Sequence, residues 1–327
     1  MKAAIYTRYG PPEVVQIEDV EKPVPNDNGV LIKVRAASVN PYDWHFMRGL
    51  PYLIRLMAGF RKPKVTRLGA DVSGQVEAVG KNVSQFKPGD EVFGACSGPF
   101  SGAFAEYACT PESALVLKPA NVTFEQAASV PIAALTALQA LRDKAKTQWG
   151  HKVLVNGAAG GVGTFGVQIA KSFGAEVTAV CSARNIEMVR SIGADHVIDY
   201  TQQDFTKSAQ RYDIILDNVG NHSLSACRRV LNPKGILVTA GGQAGSWMLL
   251  AIARALTALV LSSFSSRKLL GVLVKLNQVD LTVMGELIAT GKVTPVIDKR
   301  YKLTEISDAI RFVETGHARG KVVITWE

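Results

Sequence analysis

Short apolar runs separated by Gly, Pro and Asn fill the first 120 residues of the 327-residue chain. Such runs alternate apolar and polar positions over a few residues, as half-buried strands do; examples are KAAIYT, VLIKVRAASV, GADVSGQVEAVG, DEVFGA and FAEYACT. The segment KPGDEV (87–92) places a Pro-Gly turn between two of these runs. The pattern predicts a compact β-rich domain over residues 1–122.

Helical and strand-like segments alternate from residue 123 onwards. Residues 123–145 are rich in Ala and Leu with a helical period, which Pro131 must break or start. The following segments are VLVNG, a helix at 162–173, EVTAVC, a helix at 185–192, HVIDY, YDIILDNVG, a helix at 223–230 and ILVTAGG. This order predicts a parallel sheet covered on both faces, in an α/β domain over 123–294. After residue 295, KRYKL and KVVITW flank a helix, so we expect 295–327 to rejoin the first domain.

A glycine-rich turn joins the first strand and the first helix of the α/β domain. Two registers are available: Gly157, Gly160 and Gly163 at the strand end, or Gly161, Gly163 and Gly166 one turn later. We favour the first, because a phosphate cradle must lie between the strand end and the helix start, where free N–H groups meet a pyrophosphate. The surrounding strand–helix–strand pattern predicts a dinucleotide site rather than a tight turn without ligand.

The residues after the second strand bear on the choice of nicotinamide cofactor. NAD sites place an acidic residue about 20 positions beyond the glycines. Ser182 stands there, and the next acid, Glu187, already lies in the following helical pattern. Arg184 suits a 2′-phosphate, and the less favoured alternative is a solvated loop residue. The sequence therefore predicts NADPH rather than NAD.

Composition adds a basic character, with a formal net charge of +9 and a pI of about 9.4. This balance suits anionic ligands or surfaces. The densest clusters of cations, such as Arg61, Lys62, Lys64 and Arg67, lack the interleaved aromatics of a single-stranded nucleic-acid platform, so nucleic acid is not expected as a main partner. The four cysteines form no CxxC pair, and no apolar signal region follows Met1, which predicts a cytoplasmic protein.

The apolar segment 247–264 approaches the length of a membrane span, but Arg254 lies near its middle. Because a central Arg is costly in lipid, we expect a buried or interface helix. A peripheral membrane contact is the alternative.

A metal site is not predicted. A zinc alcohol dehydrogenase would show a Cys, His and Glu set near residues 40–71 and a lobe with four cysteines. Here Asn40 stands where a ligand cysteine would be expected, no His-Glu pair precedes Asp71, and His45 is alone. Without thiolates or paired imidazoles, the expected hydride chemistry proceeds without a metal ion.

Ordered motifs over the whole chain carry a family resemblance. They are SVNPYDW, GADVSGQVEAVG, FKPGDEVFG, GAFAEYA, ASVPIAALTALQAL, GAAGGVG, VTAVCSARN, GADHVIDY, LDNVG and GHARGKVVI. The chain resembles zinc-independent medium-chain dehydrogenase/reductases of the quinone oxidoreductase branch. The resemblance implies a GroES-like catalytic domain (1–122 and 295–327), a Rossmann domain (123–294), an active-site cleft where they meet, and a homodimer formed through the cofactor domains.

The resemblance also implies site residues. Asn40 and Thr136 match positions at the nicotinamide end, and Lys321 matches a lysine near the cofactor. The remaining cofactor positions are Ala159, Gly160, Gly161, Val162 and Gly163 in the phosphate turn, Ser182, Arg184 and Tyr200 around the adenosine 2′-phosphate, and Asn218, Val219 and Gly220 near the ribose of the nicotinamide half.

The implied activity is NADPH-dependent hydride transfer to a lipophilic quinone or an α,β-unsaturated carbonyl. The acceptor oxygen gains negative charge and needs a donor, for which Tyr42, Tyr52 or a water ordered by Asp43 are candidates. Three alternatives stay open: a 2-enoyl thioester reductase, a non-catalytic NADPH-binding scaffold or RNA-binding protein, and a peripheral membrane protein.

Overall fold

The computed structural model describes residues 1–96, 102–240 and 266–326. The chain forms two compact units, the first made of 1–135, 276–291 and 295–327 and the second of 136–275 and 292–294. The apolar segment 247–264 lies outside the described residues. None of the described helices is long and apolar enough to cross a membrane.

The described strands, in chain order, are β1 (Lys2–Ile5), β2 (Gln16–Asp19), β3 (Gly29–Val39), β4 (Asp71–Val79), β5 (Glu91–Ala95), β6 (Tyr107–Pro111), β7 (Leu115–Leu117), β8 (Lys152–Asn156), β9 (Glu176–Cys181), β10 (His196–Asp199), β11 (Tyr212–Asp217), β12 (Leu231–Thr239), β13 (Lys268–Gly271), β14 (Ile297–Lys302) and β15 (Lys321–Thr325). The described α-helices are α1 (Pro41–Arg48), α2 (Ile54–Ala58), α3 (Phe124–Ala128), α4 (Pro131–Leu138), α5 (Gly161–Ser172), α6 (Ile186–Ser191), α7 (Leu224–Arg229), α8 (Gln278–Ala289) and α9 (Ile306–Glu314).

The first unit is built on a seven-stranded sheet in the order β14-β15-β3-β4-β5-β7, with β6 also paired to β3. Strand β3 is its centre, pairing antiparallel with β15, β4 and β6. Side chains of β3, β4 and β7 fill the core beneath it, where Ile32, Val72 and Leu115 are fully buried. Burial of each such side chain stabilises the fold by about 1.5–3 kcal/mol. Because the tail strand β15 pairs with β3, the last residues of the chain belong to this sheet.

The second unit holds a six-stranded parallel sheet in the order β10-β9-β8-β11-β12-β13. This is the 3-2-1-4-5-6 order of dinucleotide-binding folds. Val153, Leu154 and Val155 of β8 are all fully buried, since a parallel strand at the centre of such a sheet is covered on both faces. The predicted fold class, a GroES-like β-rich domain with a Rossmann domain, is confirmed.

The predicted helices of the second unit agree with the structure to within a residue or two. Helix α5 corresponds to the helix predicted at 162–173, α6 corresponds to the one predicted at 185–192, and α7 corresponds to the one predicted at 223–230. Pro131 starts α4, because its missing N–H is not needed in a first helical turn. A π-helix at Gln139–Lys144 follows α4 and was not predicted.

Candidate functional site

The glycine turn of the second unit lies between the end of β8 and the start of α5. Gly157 adopts a φ of +75°, a region that favours glycine. A Cβ on Gly163 would lie 2.1 Å from the carbonyl oxygen of Gly157, so only glycine permits this approach. Gly160 is the N-cap of α5 and supplies no side-chain cap, and a Cβ there would have no neighbour nearer than 3.6 Å. The first-turn amides of α5 are therefore available to an anion, as a pyrophosphate requires.

A second turn, after β11, is held against the end of β8. The Oδ1 of Asp217 accepts hydrogen bonds from the backbone N–H of Val219 at 3.2 Å and of Gly220 at 2.9 Å, and from Nδ2 of Asn156 at 2.9 Å. Asn218 donates from Nδ2 to the carbonyl oxygen of Asn156 at 3.1 Å. Its own Oδ1 is buried and has no partner among the residues described. A buried polar atom is costly unless it is hydrogen-bonded, so this oxygen is open to a donor that the chain itself does not supply among the residues described.

Asp217 and Asn156 were missed by the sequence analysis, although they shape this turn. Both close apolar strands, VLVN and YDIILD, and a polar residue at the end of a buried parallel strand is a usable signal. Parallel pairing of β8 with β11 places Asn156 opposite Asp217.

The predicted 2′-phosphate residues come together beyond β9 and β10. Ser182 follows β9, and the backbone N–H of Tyr200 donates to the carbonyl oxygen of Cys181 at 3.1 Å. Arg184 is exposed in the short 3₁₀ turn Ala183–Asn185. The glycine turn adjoins the same strand, since the N–H of Ala158 donates to the carbonyl oxygen of Val180 at 3.0 Å. Ser182, Arg184 and Tyr200 therefore share one end of the sheet with the phosphate turn.

The other predicted residues of the phosphate turn lie around the start of α5. Ala159 is buried, whereas Gly161 and Val162 are half-buried. Thr136 lies in α4 and is 6% exposed.

The first unit contains a buried polar cluster centred on Asp71. Its Oδ2 accepts from Oγ of Ser38 at 2.7 Å and from Nδ2 of Asn40 at 2.9 Å, and its Oδ1 accepts from the N–H of Ile132 at 3.0 Å. The ammonium of Lys321 donates to Oδ1 of Asn40 at 2.5 Å and lies 3.5 Å from Oδ2 of Asp71. Ser38, Asn40, Asp71 and Lys321 are each at most 4% exposed. A buried cation is thus held by a carboxylate and an amide.

Sheet pairing assembles this cluster from segments far apart in sequence. Asn40 directly follows β3, Asp71 begins β4 opposite Ser38, and Lys321 begins β15, whose next residue pairs with the last residue of β3. The predicted residues Asn40 and Lys321 are brought together. Asp71 and Ser38 were missed as site residues, because their significance depends on the strand register.

Burial shifts the pKa of Lys321 and of Asp43. Desolvation lowers the pKa of Lys321, while Asp71 and Asp43 oppose that shift. Desolvation raises the pKa of Asp43 to about 7, against the effect of hydrogen bonds to its Oδ2 from the N–H of Asn40 at 2.8 Å and to its Oδ1 from the N–H of Gly69 at 2.9 Å. Asp43 thus fixes the start of α1, and its role in ordering a water stays a prediction.

The two candidate tyrosines lie outside the buried cluster. Tyr52 is 71% exposed, with the Arg55 guanidinium 4.9 Å from its ring centroid. Tyr42 is 48% exposed and packs on Phe46, with ring centroids 4.3 Å apart. Desolvation and the nearby Asp43 raise the pKa of Tyr42, so its hydroxyl stays protonated.

Across residues 1–96, 102–240 and 266–326, no group of three or more His, Cys, Asp or Glu side chains has an arrangement that could hold a metal ion. Nδ1 of His45 lies 2.9 Å from the carbonyl oxygen of Leu50.

Comparison with known proteins gives matches over the whole chain. Residues 26–120 match the alcohol dehydrogenase GroES-like domain, and residues 192–324 match a family described as zinc-binding dehydrogenase. The chain is 35% identical to the chloroplast envelope quinone oxidoreductase homolog of Arabidopsis thaliana, across 99% of this chain and 98% of that protein.

Two further similarities bear on cofactor and fold. The chain is 35% identical to the NADPH-dependent alkenal/one oxidoreductase, chloroplastic, of Arabidopsis thaliana, across 99% of this chain and 79% of that protein. The solved quinone oxidoreductase from Coxiella burnetii matches with a TM-score of 0.86 and 32% identity, across 100% of this chain and 99% of that one.

Proposed function

The chain belongs to the quinone oxidoreductase branch of the medium-chain dehydrogenase/reductases, and we propose that it reduces quinones or α,β-unsaturated carbonyls with NADPH and without a metal ion. That it is an oxidoreductase using a nicotinamide cofactor follows from the family. The observation that carries the proposal is the buried Lys321–Asn40–Asp71 cluster. It holds a buried ammonium in place against a carboxylate and an amide oxygen, and a positive charge held in this way can attract an anionic oxygen.

The residues of the second unit fit NADPH. We propose that the amides of residues 161–163 hold the pyrophosphate, that Oδ1 of Asn218 accepts a ribose hydroxyl, and that Ser182, Arg184 and Tyr200 hold the 2′-phosphate. The support is the uncapped start of α5, the unpartnered oxygen of Asn218 and the common location of the other three. When bound, NADPH supplies the hydride.

We infer that the polar groups of the first unit stabilise the negative charge that develops on the acceptor oxygen. A quinone or enone oxygen becomes negative as hydride arrives, and a cation shielded from water stabilises such charge far more than an exposed one. We propose that Lys321 supplies this charge and that Asp71 keeps Lys321 protonated. Asn40 sets the direction of the ammonium. Tyr42, Tyr52 and a water ordered by Asp43 all stay candidate proton donors.

The test of this activity is NADPH oxidation followed by absorbance with a panel of quinones, enones, enals and enoyl thioesters. We expect turnover with quinones or enones. Turnover confined to enoyl thioesters would support a thioester reductase instead. Tight NADPH binding with no turnover of any acceptor would contradict the reductase proposal and support a non-catalytic binding protein.

The Arg184→Ala variant tests the choice of cofactor. A hydrogen bond between charged groups contributes about 1.5–3 kcal/mol, so the KM for NADPH should rise by roughly 10- to 100-fold. The KM for NADH should stay the same, because NADH lacks the 2′-phosphate. Arg190→Ala removes another exposed arginine of the same unit and is the matched control. An equal loss with both cofactors would contradict the assignment of Arg184.

The Gly160→Ala variant tests the phosphate turn. A methyl group at Gly160 meets no protein atom nearer than 3.6 Å and its φ of −83° suits alanine, so the fold should be retained. The methyl would occupy the space in front of the α5 amides, and we expect the Kd for NADPH to rise on the order of 100-fold. Isothermal titration calorimetry measures the Kd, and circular dichroism checks the fold.

Alanine variants of two other glycines serve as comparisons for Gly160→Ala. Gly163→Ala brings a Cβ against backbone, so it should weaken binding and also cost about 1–3 kcal/mol of stability. In Gly285→Ala, in α8, the nearest atom to the new Cβ is 3.7 Å away, so this variant should change neither NADPH binding nor stability. Unchanged NADPH binding in Gly160→Ala would refute the pyrophosphate position.

The predicted homodimer and cytoplasmic location remain proposals. Size-exclusion chromatography with light scattering decides between a monomer and a dimer, and fractionation of the source cells decides the compartment.

A further inference from the structure

An exposed surface that combines apolar and cationic side chains surrounds helix α2. It consists of Leu53, Leu56, Phe60, Arg61, Lys62 and Lys64, hereafter the α2 surface. Leu53 is 43% exposed, Leu56 64% and Phe60 74%. Large apolar side chains with such exposure, grouped within eight residues, indicate an interaction surface rather than scattered surface hydrophobics. None of the six has a role in the proposed reaction.

The backbone fixes the α2 surface as a projecting loop. The N–H of Lys64 donates to the carbonyl oxygen of Ala58 at 2.7 Å, which closes residues 58–64 into a loop with Phe60–Lys62 at its tip. The hydroxyl of Tyr9 donates to the carbonyl oxygen of Gly59 at 2.6 Å and anchors the loop to the first unit. Ile54 and Pro63 are buried. The inward face is therefore satisfied, and the outward face carries the apolar and cationic groups.

Charge along this segment has one sign. Between Asp43 and Asp71 the sequence contains six Arg and Lys residues and no Asp or Glu. The chain as a whole is also basic, with a formal net charge of +9. A surface of this kind complements an anionic partner, and the attraction is not offset by acidic neighbours in the same segment.

We propose that the α2 surface docks the protein on a membrane surface rich in anionic phospholipid. A lipid interface accepts Leu and Phe side chains at the acyl boundary and Lys and Arg side chains among the headgroups. The surface has a single exposed aromatic ring, Phe60, beside the aliphatic Leu53 and Leu56, which suits a deformable lipid interface better than the row of aromatic side chains of a base-stacking platform. The segment is distinct from 247–264, and the proposal does not depend on the identity of the electron acceptor.

The experiment is cosedimentation of the full chain with sucrose-loaded vesicles. One set is phosphatidylcholine alone, and in the other about a third of the lipid is phosphatidylglycerol. We expect binding to the anionic vesicles only, weakened by high salt because the Debye length shortens. No sedimentation with anionic vesicles would overturn the proposal.

Variants locate the contact. The triple variant Arg61→Gln/Lys62→Gln/Lys64→Gln should weaken partitioning on the order of 100-fold, since each cation near an anionic surface contributes about fivefold. Leu56→Ser/Phe60→Ser should also lose binding while the charge is unchanged. The matched controls are Lys81→Gln/Lys87→Gln/Lys207→Gln for charge and Leu273→Ser/Val279→Ser for exposed apolar groups.

Both controls should bind as the unaltered chain does. Equal losses in the two triple variants would assign binding to overall charge and overturn the proposal. Full retention of binding in Leu56→Ser/Phe60→Ser, together with displacement by single-stranded RNA, would point to a nucleic-acid site and also overturn it. Quinone reduction in vesicle-free solution and thermal unfolding should be unchanged in the α2-surface variants, which separates loss of docking from loss of fold or activity.

Discussion

Replacing Asp71 with Asn should lower the free energy of unfolding by about 3–5 kcal/mol, because removal of one partner from a buried ion pair leaves the other charge uncompensated. Lys321 is 4% exposed, and Asp71 is the carboxylate nearest its ammonium, at 3.5 Å. Without it, the pKa of Lys321, already lowered by burial, should fall further. Urea unfolding of the variant measures the loss, and we expect quinone turnover to fall with it.

A double-mutant cycle separates the pair from its surroundings. Lys321→Met removes the cation but leaves Asp71 with its bonds from Ser38, Asn40 and the N–H of Ile132. If the two charges stabilise one another, the double variant should lose less free energy of unfolding than the two single variants lose together, by about 1–3 kcal/mol. Strictly additive losses would contradict the pairing.

An exposed pair provides the control for this cycle. Lys2 and Asp19 approach more closely, at 2.6 Å, but their side chains are 54% and 72% exposed. Asp19→Asn should leave the unfolding midpoint unchanged, because solvent screens such pairs. A loss in Asp19→Asn comparable to that in Asp71→Asn would show that burial is not the cause.

The cofactor unit was predictable because its signals are local. Apolar strands, helical periods and glycines follow one another in order, and each element forms close to where its own residues predict it. The geometry of the glycine turn is local as well: the Cβ clearances at Gly157, Gly160 and Gly163 reflect the passage of the chain from β8 into α5. Ser182, Arg184 and Tyr200 lie together because parallel neighbours end at one edge of the sheet.

The buried cluster was not predictable to the same extent because its geometry is non-local. Asn40, Asp71 and Lys321 meet only once β15 and β4 have taken their register on β3, and a shift of one residue would turn each side chain to the other face. The family resemblance indicated Asn40 and Lys321 as site residues. Asp71, on which the hydrogen bonds of the cluster converge, is identified only by the pairing of β3 with β4. In the sequence, Asp43 likewise looks like an ordinary acidic residue in the first turn of α1. Its contact with the N–H of Gly69, 26 residues away, appears only in the folded chain.

The burial of Asp43 predicts an unusual dependence of stability on pH. Unfolded Asp loses its proton near pH 4, whereas desolvation raises the pKa of folded Asp43 to about 7. Between these values the native state binds more protons than the unfolded state, so the free energy of unfolding falls as pH rises. The contribution of Asp43 should decrease by about 2 kcal/mol between about pH 5 and about pH 7, because the limiting slope is 1.36 kcal/mol per pH unit and folded Asp43 is half ionised near pH 7. Urea unfolding at several pH values measures it.

The Asp43→Asn variant isolates this contribution, because its side chain does not titrate. The stability of the unaltered chain minus that of Asp43→Asn should decline through this pH range and level off above it. Asp195 is the control: against the effect of its partial burial, bonds from Lys171 and from the N–H of Val177 lower its pKa, so it is ionised in both states above about pH 5. The corresponding difference for Asp195→Asn should therefore be flat. A flat difference for Asp43→Asn as well would mean that Asp43 is already ionised in the native state at low pH, and that the amides of Asn40 and Gly69 outweigh its desolvation.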